Sequence, residues 1–183
     1  EIGFRAISDD LLAVIKRFNK HAHPMDTIRT AVSFLGQEDP TTEDASPASN
    51  LEKSIKMLAR IPTCIAADYR CRNGLEPIAP DPELGFSENF FNMCFGEVPA
   101  QEVIDCFDIS MILYAEHSFN ASTFAARVIT STTSDIYSSV VGGIGALKGP
   151  LHGGANEAVM HMMIEIDDPA KAAQWLRDAL ASK

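Results

Sequence analysis

The chain has 183 residues, 46% of them hydrophobic, which is enough for one domain, or one domain and part of another, and excludes global disorder. Its net charge of -10 argues against a nucleic-acid or anionic-membrane partner, because both need a basic surface. The sequence shows no signal peptide and no apolar run long enough to span a bilayer, so we expect a soluble, cytoplasmic protein.

Apolar residues recur at helical spacing almost throughout the chain, and we find no alternating strand pattern and no repeat. Nine helical segments are predicted, over residues 8–18, 23–36, 51–72, 87–96, 99–117, 121–132, 135–147, 155–166 and 170–182. The predicted fold class is therefore all-α.

Helix boundaries and loops follow from capping residues, prolines and glycines. Ser49 and Glu52 fit a capping box at the start of the third helix, and Pro62 should kink or divide that helix. Residues 37–49 and 73–85 are rich in polar residues and prolines, which predicts exposed loops.

Two of the later helices have unusual compositions. The helix over 99–117 is nearly all apolar from Ile109 to Ala115, so its later turns should be buried on every side. The helix over 135–147 contains three glycines, each costing roughly 1 kcal/mol relative to alanine, and close helix–helix contact is the plausible compensation. They are Gly142, Gly143 and Gly145.

The four cysteines show no CxxC pair and no Cys/His spacing typical of a zinc site, so no metal is predicted. Buried, reduced thiols are the favoured interpretation. The cysteines are Cys64, Cys71, Cys94 and Cys106.

Three of the five histidines have ordinary interpretations. His21 and His23 precede a helix start and are interpreted as polar groups near its N-terminus, whereas His161 lies among methionines and is interpreted as a core or interface residue. His117 ends an apolar helix beside Asn120, which can cap the next helix; a functional polar cluster and a helix-junction network are equally good explanations of that feature.

His152 lies at a helix break, in "GPLHGGANE". Gly153 and Gly154 allow close backbone approach and unusual dihedral angles, and the N–H groups of the following helix suit an oxygen anion. A neutral imidazole there can donate to an oxygen that gains charge in a transition state. A glycine hinge with an incidental histidine is the alternative. Lys148 could attract anions, although a solvated lysine is the simpler interpretation.

The segments "EHSFNAST" and "GALKGPLHGGANE", with 35 positions from His117 to His152, resemble two motifs of the citrate synthase family. The first is most similar to the family's bacterial 2-methylcitrate synthase branch. The resemblance implies condensation of an acyl-CoA, propionyl-CoA or acetyl-CoA, with oxaloacetate, and it implies no cofactor. It assigns His152 to stabilising the enol or enolate and His117 to binding oxaloacetate, with Asn120 and Asn156 in support.

The resemblance also implies a domain organisation and an assembly. Residues 1–153 would form part of a large helical domain and residues 154–183 the beginning of a small one, with a hinge near Gly153 and Gly154. The family pairs as homodimers, and it carries an aspartate base and a second catalytic histidine beyond the matching segment. We therefore expect an internal segment of a longer enzyme that is inactive alone. The alternative function is a non-catalytic helical scaffold or oligomerisation fragment.

Overall fold

The computed structural model describes residues 2–116 and 118–182, and within them it contains helices and no strand. The helices are α1 (Asp9–Arg17), α2 (Pro24–Glu38), α3 (Pro47–Arg72), α4 (Phe86–Phe95), α5 (Gln101–Tyr114), α6 (Ala121–Thr130), α7 (Ile136–Leu147), α8 (Gly153–Ile166) and α9 (Ala172–Ala181), with 3-10 turns at Ile2–Phe4 and Pro169–Lys171. The predicted all-α class is confirmed. None of the helices in the described part of the chain has the length and apolarity needed to cross a membrane.

Two helices, α1 and α6, begin within one residue of their predicted starts. Oxygen atoms of Ser8 and Asn120 accept hydrogen bonds from backbone N–H groups in the first turns of α1 and α6. The start of α3 differs from the prediction, because Ser46 rather than Ser49 is the cap and the helix begins at Pro47. Proline suits a first helical position, where its missing N–H would have no partner anyway.

Pro62 does not divide α3, which runs unbroken over 26 residues. An internal proline costs about 3 kcal/mol. Buried residues on both sides of it, Met57 and Ala59 before and Cys64, Ala66 and Ala67 after, anchor the helix to the core. Burying such side chains stabilises the fold by more than the proline costs, at roughly 1.5–3 kcal/mol for each of the larger ones.

The main core lies between α1, α2, α3 and α7. Its buried members are Leu11, Ile15, Ala31, Val32, Leu35, Met57, Cys64, Ala67, Tyr137 and Ile144. A smaller cluster joins α3 to α4 around Met93, and the Phe107 ring of α5 stacks on Phe90 with 5.7 Å between centroids.

Glycines permit close approach of α7 to two neighbouring helices. Gly36 does not end α2, which continues to Glu38; a Cβ atom at Gly36 would lie 2.9 Å from the Cβ atom of Tyr137. A Cβ atom at Gly142 would overlap the Ile129 side chain of α6, and one at Gly143 would lie 3.4 Å from the Ser122 backbone oxygen of the same helix. The predicted helix contact is therefore confirmed at Gly142 and Gly143.

The later turns of α5 are exposed, contrary to the prediction of burial on every side. Ile112 and Leu113 are 73% and 72% exposed, and Ile109 is also exposed. On α4 the Phe90 ring stacks on Phe107 and the Ser87 hydroxyl donates to Asp108, whereas the apolar side chains of α5 from Ile109 onward are exposed. The described residues of α8 and α9 likewise include none that is buried.

The cysteines differ from one another in burial, so the prediction of buried thiols holds for two of the four. Cys64 and Cys94 are buried, Cys71 is partly buried and Cys106 is exposed, and all four are free thiols. Burial raises the pKa of the Cys64 thiol to about 12.

Candidate functional site

A single carbonyl group accepts two hydrogen bonds at the junction between α7 and α8. The carbonyl oxygen of Gly149 accepts hydrogen bonds from the N–H groups of His152, at 3.0 Å, and Gly154, at 3.1 Å. The His152 carbonyl in turn accepts from Ala155 N–H at 3.0 Å. The first amides of α8 are thus partly engaged by the preceding turn, which differs from the prediction of a helix start open to an anion.

Gly153 and Gly154 serve close packing at this junction. They form the first turn of α8, two residues before its predicted start, and neither has a positive φ. A Cβ atom at Gly153 would lie 2.5 Å from the Leu147 carbonyl oxygen, and one at Gly154 would lie 3.0 Å from that of Gly149. The two glycines thus allow the backbone of this junction to pack closely on itself, whereas the prediction of unusual dihedral angles is wrong for them.

A hydrogen-bond chain joins His152 to the N-terminus of α6. His152 Nε2 lies 2.8 Å from Ser122 Oγ, which lies 2.8 Å from Asn120 Oδ1. Asn120 Oδ1 also accepts from the backbone N–H of Thr123 at 2.6 Å, so it is held as an acceptor. The helix cap of α6 and the predicted catalytic imidazole are therefore parts of one network.

The direction in which the Ser122 hydroxyl donates is coupled to the tautomer of a neutral His152. When the hydroxyl donates to Asn120 Oδ1, Nε2 must carry the imidazole proton and donate to Ser122 Oγ. When the hydroxyl turns to donate to Nε2, the imidazole proton is on Nδ1. Ser122 was not among the predicted site residues, although it lies within the "NAST" motif.

The other predicted site residues are placed differently. His117 lies outside the described residues, so its predicted role stays a prediction. Asn120 joins His152 through Ser122, as described above. Asn156 follows His152 by one turn of α8 and lines a neighbouring cleft of about 270 Å³.

The N-terminus of α2 forms the other wall of this cleft, which His23 and Met25 line opposite Asn156 and Glu157. His23 is the N-cap of α2: its Nδ1 accepts from Met25 N–H at 3.2 Å, and its Nε2 lies 3.3 Å from Glu157 Oε2. The predicted role of His23 near a helix start is confirmed.

Two predictions about nearby polar residues are corrected. The His161 side chain is 74% exposed, with Nε2 3.8 Å from Glu157 Oε1, so the core interpretation is wrong and the interface interpretation stays a prediction. Lys148 is not a freely solvated lysine, because its Nζ lies 2.8 Å from each carboxylate oxygen of Asp26. Sequence spacing could not reveal that pair, which joins positions 122 apart.

This arrangement suits hydrogen-bond catalysis at an oxygen atom. It provides a partly buried imidazole, whose Nε2 is hydrogen-bonded to Ser122, at a helix start packed too tightly for side chains on Gly153 and Gly154. No group of three or more His, Cys, Asp or Glu side chains with metal-binding geometry occurs within 2–116 and 118–182.

Comparison with known proteins identifies similar sequences. The family described as "Citrate synthase, C-terminal domain" matches residues 3–183. The chain is 59% identical to a 2-methylcitrate synthase of Mycobacterium tuberculosis, over all of this chain and 46% of the relative. It is 55% identical to a citrate synthase of Mycolicibacterium smegmatis, over all of this chain and 49% of the relative. The chain thus spans about half the length of these curated relatives.

Solved structures agree with the sequence comparison. Citrate synthase from Thermoplasma acidophilum, solved as a ternary complex with carboxymethyl coenzyme A and oxaloacetate, superposes with a TM-score of 0.86 at 30% identity. That superposition covers 99% of this chain and 47% of the other. Citrate synthase from Thermotoga maritima gives a TM-score of 0.80 at 35% identity, with 99% and 47% coverage.

Proposed function

Because the chain belongs to the citrate synthase family, we propose that the protein carrying it condenses an acyl-CoA with oxaloacetate to give 2-methylcitrate or citrate and free CoA. The family match over residues 3–183 is the observation that supports this proposal most strongly. The structural similarity to an enzyme solved with a CoA analogue and oxaloacetate supports the same two substrates. Acyl-CoA is consumed in the reaction, so the proposal includes no separate cofactor.

In the proposed reaction His152 stabilises the enol or enolate of the acyl-CoA. Removal of the α-proton by a base, an aspartate in this family, places negative charge on the thioester oxygen. The nucleophilic α-carbon then attacks the ketone of oxaloacetate, and hydrolysis of the new thioester releases CoA. A preorganised neutral donor at the thioester oxygen contributes roughly 3–4 kcal/mol, by analogy with oxyanion-hole donors.

Ser122 gives this role a specific hydrogen-bond arrangement. In the proposed complex the Ser122 hydroxyl donates to Nε2 of His152, so the imidazole carries its proton on Nδ1 and donates it to the thioester oxygen of the bound acyl-CoA. Asn120 Oδ1 competes with His152 Nε2 for the Ser122 hydroxyl proton, so the network has two alternative hydrogen-bond arrangements. We propose that substrate binding selects the arrangement in which Nδ1 of His152 is protonated. His117 is proposed to bind oxaloacetate, and Asn120 and Asn156 to support the two histidines.

The acyl-CoA preference follows the sequence motif. The chain is 59% identical to a 2-methylcitrate synthase and 55% identical to a citrate synthase, so identity alone favours neither substrate decisively. The segment "SFNAST", which is most similar to the 2-methylcitrate synthase branch of the family, favours propionyl-CoA. One methyl group changes selectivity by about 1–3 kcal/mol, or roughly 5- to 150-fold in kcat/KM. We expect a higher kcat/KM for propionyl-CoA than for acetyl-CoA.

The domain boundary and the assembly are further parts of the proposal. Residues 1–153 would belong to a large domain and 154–183 to a small one, hinged at Gly153 and Gly154. Unchanged φ and ψ at these glycines between ligand-free and liganded enzyme would contradict the hinge.

A homodimer is supported by the exposed apolar faces of α5 and α6, which include Ile112 and Phe124. Sedimentation of the longer enzyme should give twice the monomer mass. The cytoplasmic location stays a prediction from the sequence.

The experiment that tests the function is CoA release by the longer enzyme, with the product identified by mass spectrometry. Propionyl-CoA and oxaloacetate together should yield free CoA and 2-methylcitrate, and neither substrate alone should release CoA at a comparable rate. Absence of a condensation product with both acyl-CoAs would favour the helical scaffold. The 183 residues alone are proposed not to turn over, because the family's aspartate base lies outside the matching segment. Turnover by them would contradict that part of the proposal.

A further inference from the structure

An ion pair links the His152 junction to a helix far away in sequence. Asp26 lies in the first turn of α2, and Lys148 is the C-cap of α7. Lys148 Nζ lies 2.8 Å from both Oδ1 and Oδ2 of Asp26. The hydrogen bond from Lys148 holds the pKa of Asp26 below its usual value, so the carboxylate is ionised at neutral pH. The helix dipole stabilises a negative charge at the N-terminus of α2, where Asp26 lies, and a positive charge at the C-terminus of α7, where Lys148 lies.

Lys148 is covalently joined to the turn on which His152 depends. The next residue, Gly149, supplies the carbonyl that accepts from both His152 N–H and Gly154 N–H. The Lys148 carbonyl itself lies 3.4 Å from the position of a Cβ atom on Gly154. A displacement of Lys148 would therefore move the carbonyl groups that support His152 and the first turn of α8.

A second contact holds the same two regions together on the other side of His152. His23, the N-cap of α2, has Nε2 3.3 Å from Glu157 Oε2 in α8. The N-terminus of α2 thus touches the chain four residues before His152 and five residues after it. The His23–Glu157 contact is long and exposed, whereas the Asp26–Lys148 pair has two short contacts, so the pair is the stronger of the two restraints.

We propose that the Asp26–Lys148 ion pair is a positioning device that holds the α7–α8 turn, and with it the His152 imidazole, at the place required for catalysis. The proposal rests on the function proposed above. Lys148 acts through the turn and does not touch substrate, since its ammonium group is directed to the Asp26 carboxylate. This role differs from attraction of an anionic substrate, which would require the ammonium group to face the ligand.

The test is a double-mutant cycle in the longer enzyme, using Lys148→Met, Asp26→Asn and the double variant. Misplacing a catalytic group by an ångström can cost about 100-fold, so a partly released turn should lower kcat by roughly tenfold in each single variant. If the residues act as a pair, the double variant should lose no more than the worse single variant. Lys148→Arg, which keeps the charge, should retain kcat within about threefold, because it can still bond the carboxylate.

A matched control separates positioning from the general loss of an ion pair. Lys16 Nζ lies 2.7 Å from Glu76 Oε2, and its side chain is 43% exposed, close to the 36% of Lys148. Lys16→Met should leave kcat unchanged. Amide hydrogen exchange over residues 149–155, followed by mass spectrometry, provides a readout that does not need activity. Exchange there should accelerate in Lys148→Met and stay unchanged in Lys16→Met.

Several results would overturn the proposal. A kcat for Lys148→Met within about twofold of wild type would overturn the proposal, because a positioning residue must affect turnover. This holds whether or not amide hydrogen exchange over residues 149–155 accelerates. Additive losses in the double variant, or a loss confined to KM for acyl-CoA, would indicate independent roles or anion attraction. If the wild-type enzyme releases no CoA, the proposed function fails separately. Unchanged exchange over 149–155 in Lys148→Met would then overturn the ion pair's role as well.

Discussion

Replacing Gly36 by alanine tests the close contact between α2 and α7. The added Cβ atom would lie 2.9 Å from Tyr137 Cβ and 3.0 Å from Tyr137 Cγ, against the 3.5–4.0 Å usual for carbon atoms. Tyr137 cannot easily move away, because it is buried and its hydroxyl donates to Asp39 Oδ2 at 2.8 Å. The two helices must therefore separate by several tenths of an ångström.

The expected cost combines two opposing terms. Overpacking costs about 1–3 kcal/mol, and alanine returns up to about 1 kcal/mol of helix propensity. A rigid Cβ–Cβ contact belongs at the upper end of the first range, which leaves a net loss of about 1–2 kcal/mol in the free energy of unfolding. For a chain of this size, the midpoint of thermal unfolding should be lower by about 2–6 °C in Gly36→Ala than in the wild type.

The measurement is thermal unfolding of the 183-residue chain followed by circular dichroism, with Gly145→Ala as the matched control. Gly145 is also in a helix, but a Cβ atom there would meet no described atom within 4 Å. That variant should be more stable by about 0.5–1 kcal/mol. An unchanged or higher midpoint for Gly36→Ala, or shifts of the same sign in both variants, would refute the packing argument.

Three further predictions follow from buried or hydrogen-bonded side chains. Ser122→Ala should lower kcat of the longer enzyme by about 3–10-fold in steady-state assays, the equivalent of one hydrogen bond of 0.5–1.5 kcal/mol; unchanged kcat would exclude the proposed tautomer control. Burial raises the pKa of Cys64 to about 12, so at pH 8 a thiol reagent should modify exposed Cys106 well before Cys64, and labelling at equal rates would contradict the burial. Burial and the Asp39 hydrogen bond raise the pKa of Tyr137, so the stability contributed by its protonated form is complete below the unfolded pKa of about 10 and is lost above it. Urea titrations should show the unfolding free energy falling by up to about 1.4 kcal/mol per pH unit above pH 10, and Tyr137→Phe should reduce this slope.

Local signals were sufficient to predict most of the secondary structure. Helical periodicity and caps such as Asn120 depend on neighbours within one turn, so the sequence shows them directly. The errors arose where tertiary packing competes with a local preference. Pro62 lies in a continuous helix because the buried side chains on both sides of it stabilise the helix by more than the proline costs. Gly36 lies inside α2 because the Tyr137 side chain packs against it, where a Cβ atom would clash.

The candidate site was predictable only in part. The motifs predicted His152 and Asn120, which share a network in the structure, but Ser122 between them was not recognised as the connecting residue. The Asp26–Lys148 pair joins two helix termini that only the fold brings together. Apolar composition predicted burial from Ile109 to Ala115, whereas burial also requires a partner surface, and the large apolar side chains of that segment are exposed among the described residues.

The central claim, that His152 stabilises the enol or enolate, is tested most directly by His152→Ala in the longer enzyme. Loss of a donor worth roughly 3–4 kcal/mol should lower kcat by about 100- to 1000-fold. Circular dichroism should remain unchanged, because His152 is not among the buried core residues. A kcat within about threefold of wild type, in a variant that is folded and binds both substrates, would contradict the account.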